Sequence, residues 1–257
     1  MKIAIFSDIH IAKNNPEVKK LFCDTLLSLK TQKVTHLWLL GDIFDVFFGN
    51  FLYWRKIYGE VFACLRDLKN SGINIQWIEG NHDFSMKEIV ESYGCQTSNT
   101  EKKLLLAGSQ NLEKLSVYLA HGDLINPEDK LHKKWRDFSN SAVFKNIIKY
   151  TPEKLAEHSY IASAFKVSAL SRSLNRANHE TAKKIKERYR ELADIKFKEG
   201  YNAVFMGHCH VHDLYQACEK SFYLNLGSWK EEKFDSKKRY GLWEPQKKFL
   251  PDVIEVL

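Results

Sequence analysis

Apolar residues recur along the first hundred positions in two alternating rhythms. "KIAIF", "THLWLL" and "INIQWI" are short, largely apolar runs, as expected of buried strands. Between them, "PEVKKLFCDTLLSLK" spaces its apolar residues at three and four, with Pro16 at the start, and predicts an amphipathic helix. A second helix is expected from about Tyr53 to Lys69, and a short one around "SMKEIVESYG". Strands separated by helices imply a sheet with crossover connections, hence an α/β sandwich. "KLLLAGS" and "KLSVYLA" predict a β-hairpin. From Glu128 to Glu199 the pattern turns helical and basic, and "YNAVFM", "SFYLNL" and "PDVIEVL" then restore strand character. We therefore read residues 1–257 as one domain interrupted by a helical insertion at about 128–199.

Each core run ends in groups that can bind a cation. "IAIFSDIH" presents Asp8 and His10, "LWLLGDIFD" Asp42 and Asp45, and "IQWIEGNHD" Asn81, His82 and Asp83. "SVYLAHGD" presents His121, and "AVFMGHCH" His208 and His210. In open α/β sheets ligands bind at the carboxyl ends of strands, so these groups are expected to converge. Carboxylates, an amide oxygen and imidazoles suit Mn²⁺, with Fe²⁺ and Zn²⁺ as alternatives. Two such ions about 4 Å apart would clamp an in-line displacement at phosphorus. Singly, each motif has a structural explanation: Asp8 as a loop cap, G-D-x-x-D as a turn, His121 as a core histidine. Cys209, between two histidines, is assigned to packing and Asp83 to bracing its loop. The five motifs in order, each after a strand, point to a metal centre.

The ordered motifs D-x-H, G-D-x-x-D, G-N-H-D, H and G-H-x-H resemble those of the calcineurin-like metallophosphoesterases. The resemblance implies a β-sandwich flanked by helices around two metal ions. Carried onto this chain, it gives Asp8, His10, Asp42 and His210 to the first ion. It gives Asp42, Asn81, His121 and His208 to the second, with Asp42 bridging. "SDIHI", "LLGDIFDVFFG", "GNHDF", "AHGD" and the helical insertion look most like the UDP-2,3-diacylglucosamine hydrolases of lipid A synthesis, where water attacks the α-phosphorus and UMP leaves. The chain departs from that branch at His82, where the branch has arginine, and at Asp45, where it has glutamate. On this reading His82 reaches the phosphate as acid or charge stabiliser, oriented by a hydrogen bond to Asp45 that raises its pKa.

Charge adds a substrate argument. Residues 128–199 hold 17 Lys and Arg against 10 Asp and Glu, which accounts for the chain's whole formal charge of +7. Trp135, Phe138, Val143, Phe144, Ile147, Ile148, Ile161, Phe165 and Leu170 are interleaved with these charges. The segment is either a helical hairpin packed on the core or a lid that grips acyl chains and meets anionic headgroups. Asn81, Arg172, Arg176 and Lys184 are the candidate substrate contacts. A nuclease or nucleotide phosphodiesterase would use the same metals and the basic segment. The mixture of aliphatic with aromatic residues is more lipid-like than base-stacking, so no stable nucleic-acid partner is expected. A non-enzymatic scaffold fits least well with a complete ligand set. Five cysteines without a C-x-x-C pair suggest a reducing compartment. "MKIAIF" is interrupted before signal-peptide length, and no apolar stretch approaches the roughly 20 residues of a membrane span. The expected location is cytoplasmic, with peripheral contact at the inner membrane.

Overall fold

The structure, a computed structural model, describes residues 1–49, 51–108, 113–125, 134, 137–139, 141–152, 179–230 and 235–256. Two sheets pack face to face. The first contains β1 (Ile3–Phe6), β2 (His36–Leu39), β4 (Asn74–Ile78) and β6 (Gln96–Ser98), paired in parallel in that order. Antiparallel β12 (Lys238–Trp243) and β13 (Asp252–Val256) extend its other edge. The second places β8 (Lys114–Ala120), β9 (Ala203–Met206) and β11 (Ser221–Asn225) in parallel. β7 (Glu101–Ala107) and β10 (Asp213–Cys218) form its antiparallel edges, so the expected hairpin is β7–β8. A two-residue parallel pair, β3 (Phe47–Phe48) and β5 (Asp83–Phe84), links two loops above the first sheet.

The largely apolar runs are explained by burial on both faces, which the period-2 pleat sorts into layers. In β1, Ile3 and Ile5 face the second sheet while Ala4 and Phe6 face the helices. In β9, Ala203 and Phe205 point inward, and Val204 and Met206 point outward. The centre of the sandwich is aromatic: Phe205 lies 5.7 Å from Trp38, 5.5 Å from Phe222 and 5.3 Å from Trp243 between ring centroids.

Helices cover the outer faces. α1 (Pro16–Thr31) starts as its proline predicts, and the Asn15 side chain accepts the Val18 N–H at 3.1 Å. The single helix expected over 53–69 is two helices, α2 (Leu52–Ile57) and α3 (Gly59–Asn70). The break falls at Tyr58, whose backbone leaves helical geometry while its buried ring packs 4.3 Å from Phe44. Gly59 follows, the poorest helix former short of proline. α4 (Lys87–Ser92) is the expected short helix. Within the segment read as an insertion, α5 (Ala142–Tyr150) docks Phe144 on Phe84, centroids 5.9 Å apart. α6 (His179–Lys198) packs Tyr189 and Ala193 on the outer face of the second sheet and lies in the crossover from β8 to parallel β9. No described helix is long and apolar enough to cross a membrane.

Because Phe205 is fully buried among three aromatic rings, Phe205→Ala should lower unfolding stability by about 3–5 kcal/mol. Urea titration followed by tryptophan fluorescence would measure the change.

Candidate metal centre

Parallel β1, β2 and β4 of one sheet and parallel β8 and β9 of the other end on the same side, and their loops meet there. The loops are joined through backbone. Asp8 N–H donates to the Gly41 carbonyl (3.1 Å), His10 N–H to Asp42 (2.9 Å), and Gly207 N–H to His121 (2.7 Å). The His208 N–H donates to the Asp8 carboxylate at 3.0 Å, tying the second sheet to the first. Among the described residues, seven non-glycines have positive φ, and five of them are Asp8, His10, Asp42, His208 and His210, at 52–68°. Each such residue costs about 1–2 kcal/mol for an L-amino acid, and strain of this kind clusters at functional sites. Two glycines permit the crowding. A Cβ on Gly80 would lie 2.0 Å from Asp42 Oδ1, and one on Gly207 would lie 2.4 Å from Asp8 Oδ2.

The side chains form two groups that share one atom. Asp8, His10, Asp42 and His210 bring ligand atoms within 4.8 Å of one another. His10 Nε2 faces His210 Nε2 at 2.9 Å, and His210 Nε2 lies 3.5 Å from Asp8 Oδ1. In the second group, Asn81 Oδ1 sits 3.0 Å from His121 Nε2 and 2.9 Å from His208 Nδ1. Asp42 belongs to both. Its Oδ1 accepts the His82 N–H at 2.8 Å, while Oδ2 lies 3.4 Å from His121 Nε2 and 3.8 Å from His10 Nε2. His121 Nδ1–H donates to the Leu40 carbonyl at 2.9 Å, which turns Nε2 toward the site.

Burial and charge oppose each other here. Burial raises the Asp42 carboxyl, but the imidazoles of His121, His82 and His10 outweigh it and hold the group well below the usual carboxylate range. Burial lowers His121, yet Asp42 and Asp8 push it up to about 10. Burial, then Lys230 and His210, hold His10 well below an ordinary histidine, which favours the neutral ring that a metal ligand needs. Burial raises Asp8. Among the described residues, buried His10 Nδ1 has no hydrogen-bond partner. Convergent carboxylate oxygens and ring nitrogens, held on strained backbone, fit divalent cations of the Mn²⁺, Fe²⁺ and Zn²⁺ type.

All seven ligand candidates are thus brought together. Asp83 braces the loops as expected: its carboxylate accepts N–H bonds from Asp42 (2.9 Å), Ile43 (2.6 Å) and Gly80 (2.8 Å). The expected link between His82 and the Asp45 carboxylate is corrected. His82 Nδ1–H donates to the Asp45 backbone carbonyl at 2.8 Å, whereas the Asp45 carboxylate pairs with Lys230. The His82 pKa is lowered rather than raised, because burial outweighs the pull of Asp42. Lys230 had no motif to mark it, and only its arrival from β11 places it here. The Cys209 thiol takes the Asn225 Nδ2 donor at 3.2 Å and packs, as expected. Lys184 is exposed on α6 and pairs with Glu180 at 3.0 Å. Arg172 and Arg176 lie outside the described residues.

A two-sheet α/β sandwich with buried carboxylate and imidazole donors at converging strand ends is the architecture of a metal-dependent phosphohydrolase. The model of the calcineurin-like phosphoesterase family matches residues 1–212, and the chain belongs to that family. Curated relatives include the UDP-2,3-diacylglucosamine hydrolase of Blochmanniella pennsylvanica, 23% identical over 89% of this chain and 88% of that protein. The protein of the same name from Pasteurella multocida is 25% identical over 89% of this chain and 90% of its own length. Among solved structures, Yfce, a phosphoesterase from E. coli, aligns over 95% of this chain and 88% of its own, with a TM-score of 0.47 and 15% identity.

The raised His121 pKa has a consequence for pH. In chelator-treated protein its stabilising pairing with Asp42 is fully present below pH 6.5 and is lost as pH rises through about 10. The urea midpoint should therefore fall over that interval. A divalent cation must displace the same proton, so its affinity should rise with pH and its binding at pH 7 should release protons, measurable in a weakly buffered titration.

Proposed function

We propose that the chain hydrolyses the phosphoanhydride of an acylated UDP-sugar, UDP-2,3-diacylglucosamine, to UMP and 2,3-diacylglucosamine 1-phosphate. The observation that carries the hydrolytic step is Asp42 Oδ2, which lies between two sets of ligand atoms. Asp8, His10, Asp42 and His210 would hold one divalent cation, and Asp42, Asn81, His121 and His208 the other. When bound, two such ions neutralise phosphoryl oxygens and generate a nucleophile from water at neutral pH.

The chain's own groups do the rest. Asp42 N–H and carboxylate are anchored by Asp83 and the His82 amide, so the shared oxygen needs no reorganisation. His82 gives its Nδ1 proton to the Asp45 carbonyl, which leaves Nε2 on the site side, 4.0 Å from Asp42 Oδ2. Burial keeps that ring neutral until a phosphoryl anion beside it favours protonation. The imidazolium can then donate to the leaving oxygen.

The names of the curated relatives support the acylated substrate. So does α5. Phe144 anchors it beside Phe84, one residue after the bracing Asp83, while Val143 and Tyr150 are 64% and 76% exposed. An apolar face next to a phosphoryl site suits acyl chains at a lipid surface. The cations of residues 128–199 suit the anionic headgroups of the same surface.

Turnover of acyl-UDP-glucosamine should vanish with chelator and return with Mn²⁺. Asp42→Ala should be the most damaging ligand change, because it removes a donor from both sets. Oligonucleotides cleaved in preference to the acylated UDP-sugar would turn the assignment to a nuclease, and turnover by rigorously metal-free protein would sink the mechanism.

His82→Ala should leave metal content unchanged and slow acyl-UDP-glucosamine turnover by roughly 10²–10⁴-fold. The loss should be much smaller for an aryl phosphodiester whose leaving group needs no proton. Equal losses on both substrates would assign His82 to charge stabilisation instead.

A further inference from the structure

β11 ends at Asn225, and the turn that follows brings a lysine to the centre. This turn is bound to the base of the first ligand group. Ser228 Oγ and the Trp229 N–H both donate to the Asp8 carbonyl, at 3.1 and 3.0 Å. The Lys230 N–H in turn donates to Ser228 Oγ at 3.1 Å. The backbone of Lys230 is therefore registered against the residue that opens the ligand cluster. Its Nζ donates to Asp45 Oδ1. The same carboxylate oxygen lies 3.7 Å from His10 Nδ1, and the Asp45 carbonyl accepts the His82 ring proton. One residue thus holds an ammonium through its carboxylate and an imidazole through its carbonyl at the edge of the candidate metal centre.

Accessibility separates the partners of this ion pair. The Lys230 side chain is 25% exposed and that of Asp45 only 9%. An ammonium has three N–H donors, and a single carboxylate oxygen engages one of them. An anion approaching from solvent can therefore reach the cation while its counter-ion stays behind it. A phosphoryl group bound over His82 has oxygens that the imidazole does not cover, and a compact point charge beside the ring suits them.

We propose that Lys230 is a substrate-binding residue that takes a phosphoryl oxygen, with Asp45 as the group that orients it. The inference rests on the phosphoesterase reading above. It gives Asp45 a role through its carboxylate that differs from holding His82. The competing explanation is structural: Lys230 serves only to neutralise a buried carboxylate.

Binding of inorganic phosphate to the full-length, Mn²⁺-loaded protein, followed by calorimetry, distinguishes the two. Turnover of an aryl phosphodiester is measured alongside for the wild type, Lys230→Ala, Lys230→Arg, Asp45→Asn and the Asp45→Asn/Lys230→Ala double variant. Lys230→Ala should weaken phosphate binding about ten- to a hundredfold, the range of a charge-assisted hydrogen bond, and raise KM with metal content unchanged. Lys230→Arg should recover most of the loss, which shows that the site still folds around a cation. The double variant should be no better than Lys230→Ala alone. Recovery of wild-type phosphate affinity in the double variant would make Lys230 a neutraliser and overturn the proposal. So would unchanged affinity in Lys230→Ala while the wild type turns over. A metal-loaded wild type that neither binds phosphate nor hydrolyses the diester would sink the phosphoesterase reading, and this inference with it.

Discussion

The Asp42 carboxylate is the constraint on which the site depends, because it is buried at the seam of two sheets with each oxygen committed to a different task. Oδ1 accepts the His82 amide, and Oδ2 faces the imidazoles of His121 and His10. A buried carboxylate is costly unless charge and hydrogen bonds compensate it. Here the His121 imidazolium and the His82 amide do so, and His121 and His10 are groups a pair of divalent cations would bind. Asp83 supports the arrangement from below: four N–H bonds to one side chain hold the β2 and β4 loops together. The acceptor of the central charge and the brace of its loop are thus two carboxylates with opposite duties.

Two-sided burial makes this rigidity affordable. Strands that pack on the opposite sheet through one face and on helices through the other cannot slip by one residue without exchanging the two layers. The carboxyl ends of β1, β2, β4, β8 and β9 are consequently fixed relative to one another. Left-handed backbone at Asp8, His10, Asp42, His208 and His210 redirects the chain sharply after those strands. Such strain persists only where the surrounding structure over-determines it. The aromatic centre of Trp38, Phe205, Phe222 and Trp243 supplies that surrounding structure.

Around this rigid centre the structure arranges groups of different reach. Lys230 and His82 meet through the two ends of Asp45, its carboxylate and its carbonyl. On the other side of β5, Phe84 receives Phe144 from α5, so the apolar segment is attached within two residues of His82. α6 contributes differently: Tyr189 and Ala193 make it part of the sheet's covering, while Lys184 stays at the surface with Glu180. The described residues of the basic segment between β8 and β9 therefore combine structural packing with exposed apolar and cationic surface.

The linear sequence by itself determined the strand–helix alternation and the carboxylate, amide and imidazole groups that the fold brings together. Largely apolar runs favour burial, and those of β1, β2, β4, β8 and β9 are followed within three residues by Asp, Asn or His. It did not reveal β6, β10 or β12, whose polar, glycine-containing or half-exposed residues become strands by pairing with a neighbour rather than by periodicity. The break at Tyr58 was equally hidden, because the gain from burying its ring against Phe44 exists only when the β2 loop is present. Asp45 shows the limit most clearly. Its spacing from Asp42 marked it as a site residue, but spacing cannot say which of its oxygens meets which partner. Tertiary structure decided that by bringing Lys230, 185 positions away, to the carboxylate and turning the His82 ring to the backbone carbonyl. Periodicity and motif order report local burial and side-chain chemistry, whereas the partner of a charged group depends on which distant loop the fold delivers beside it.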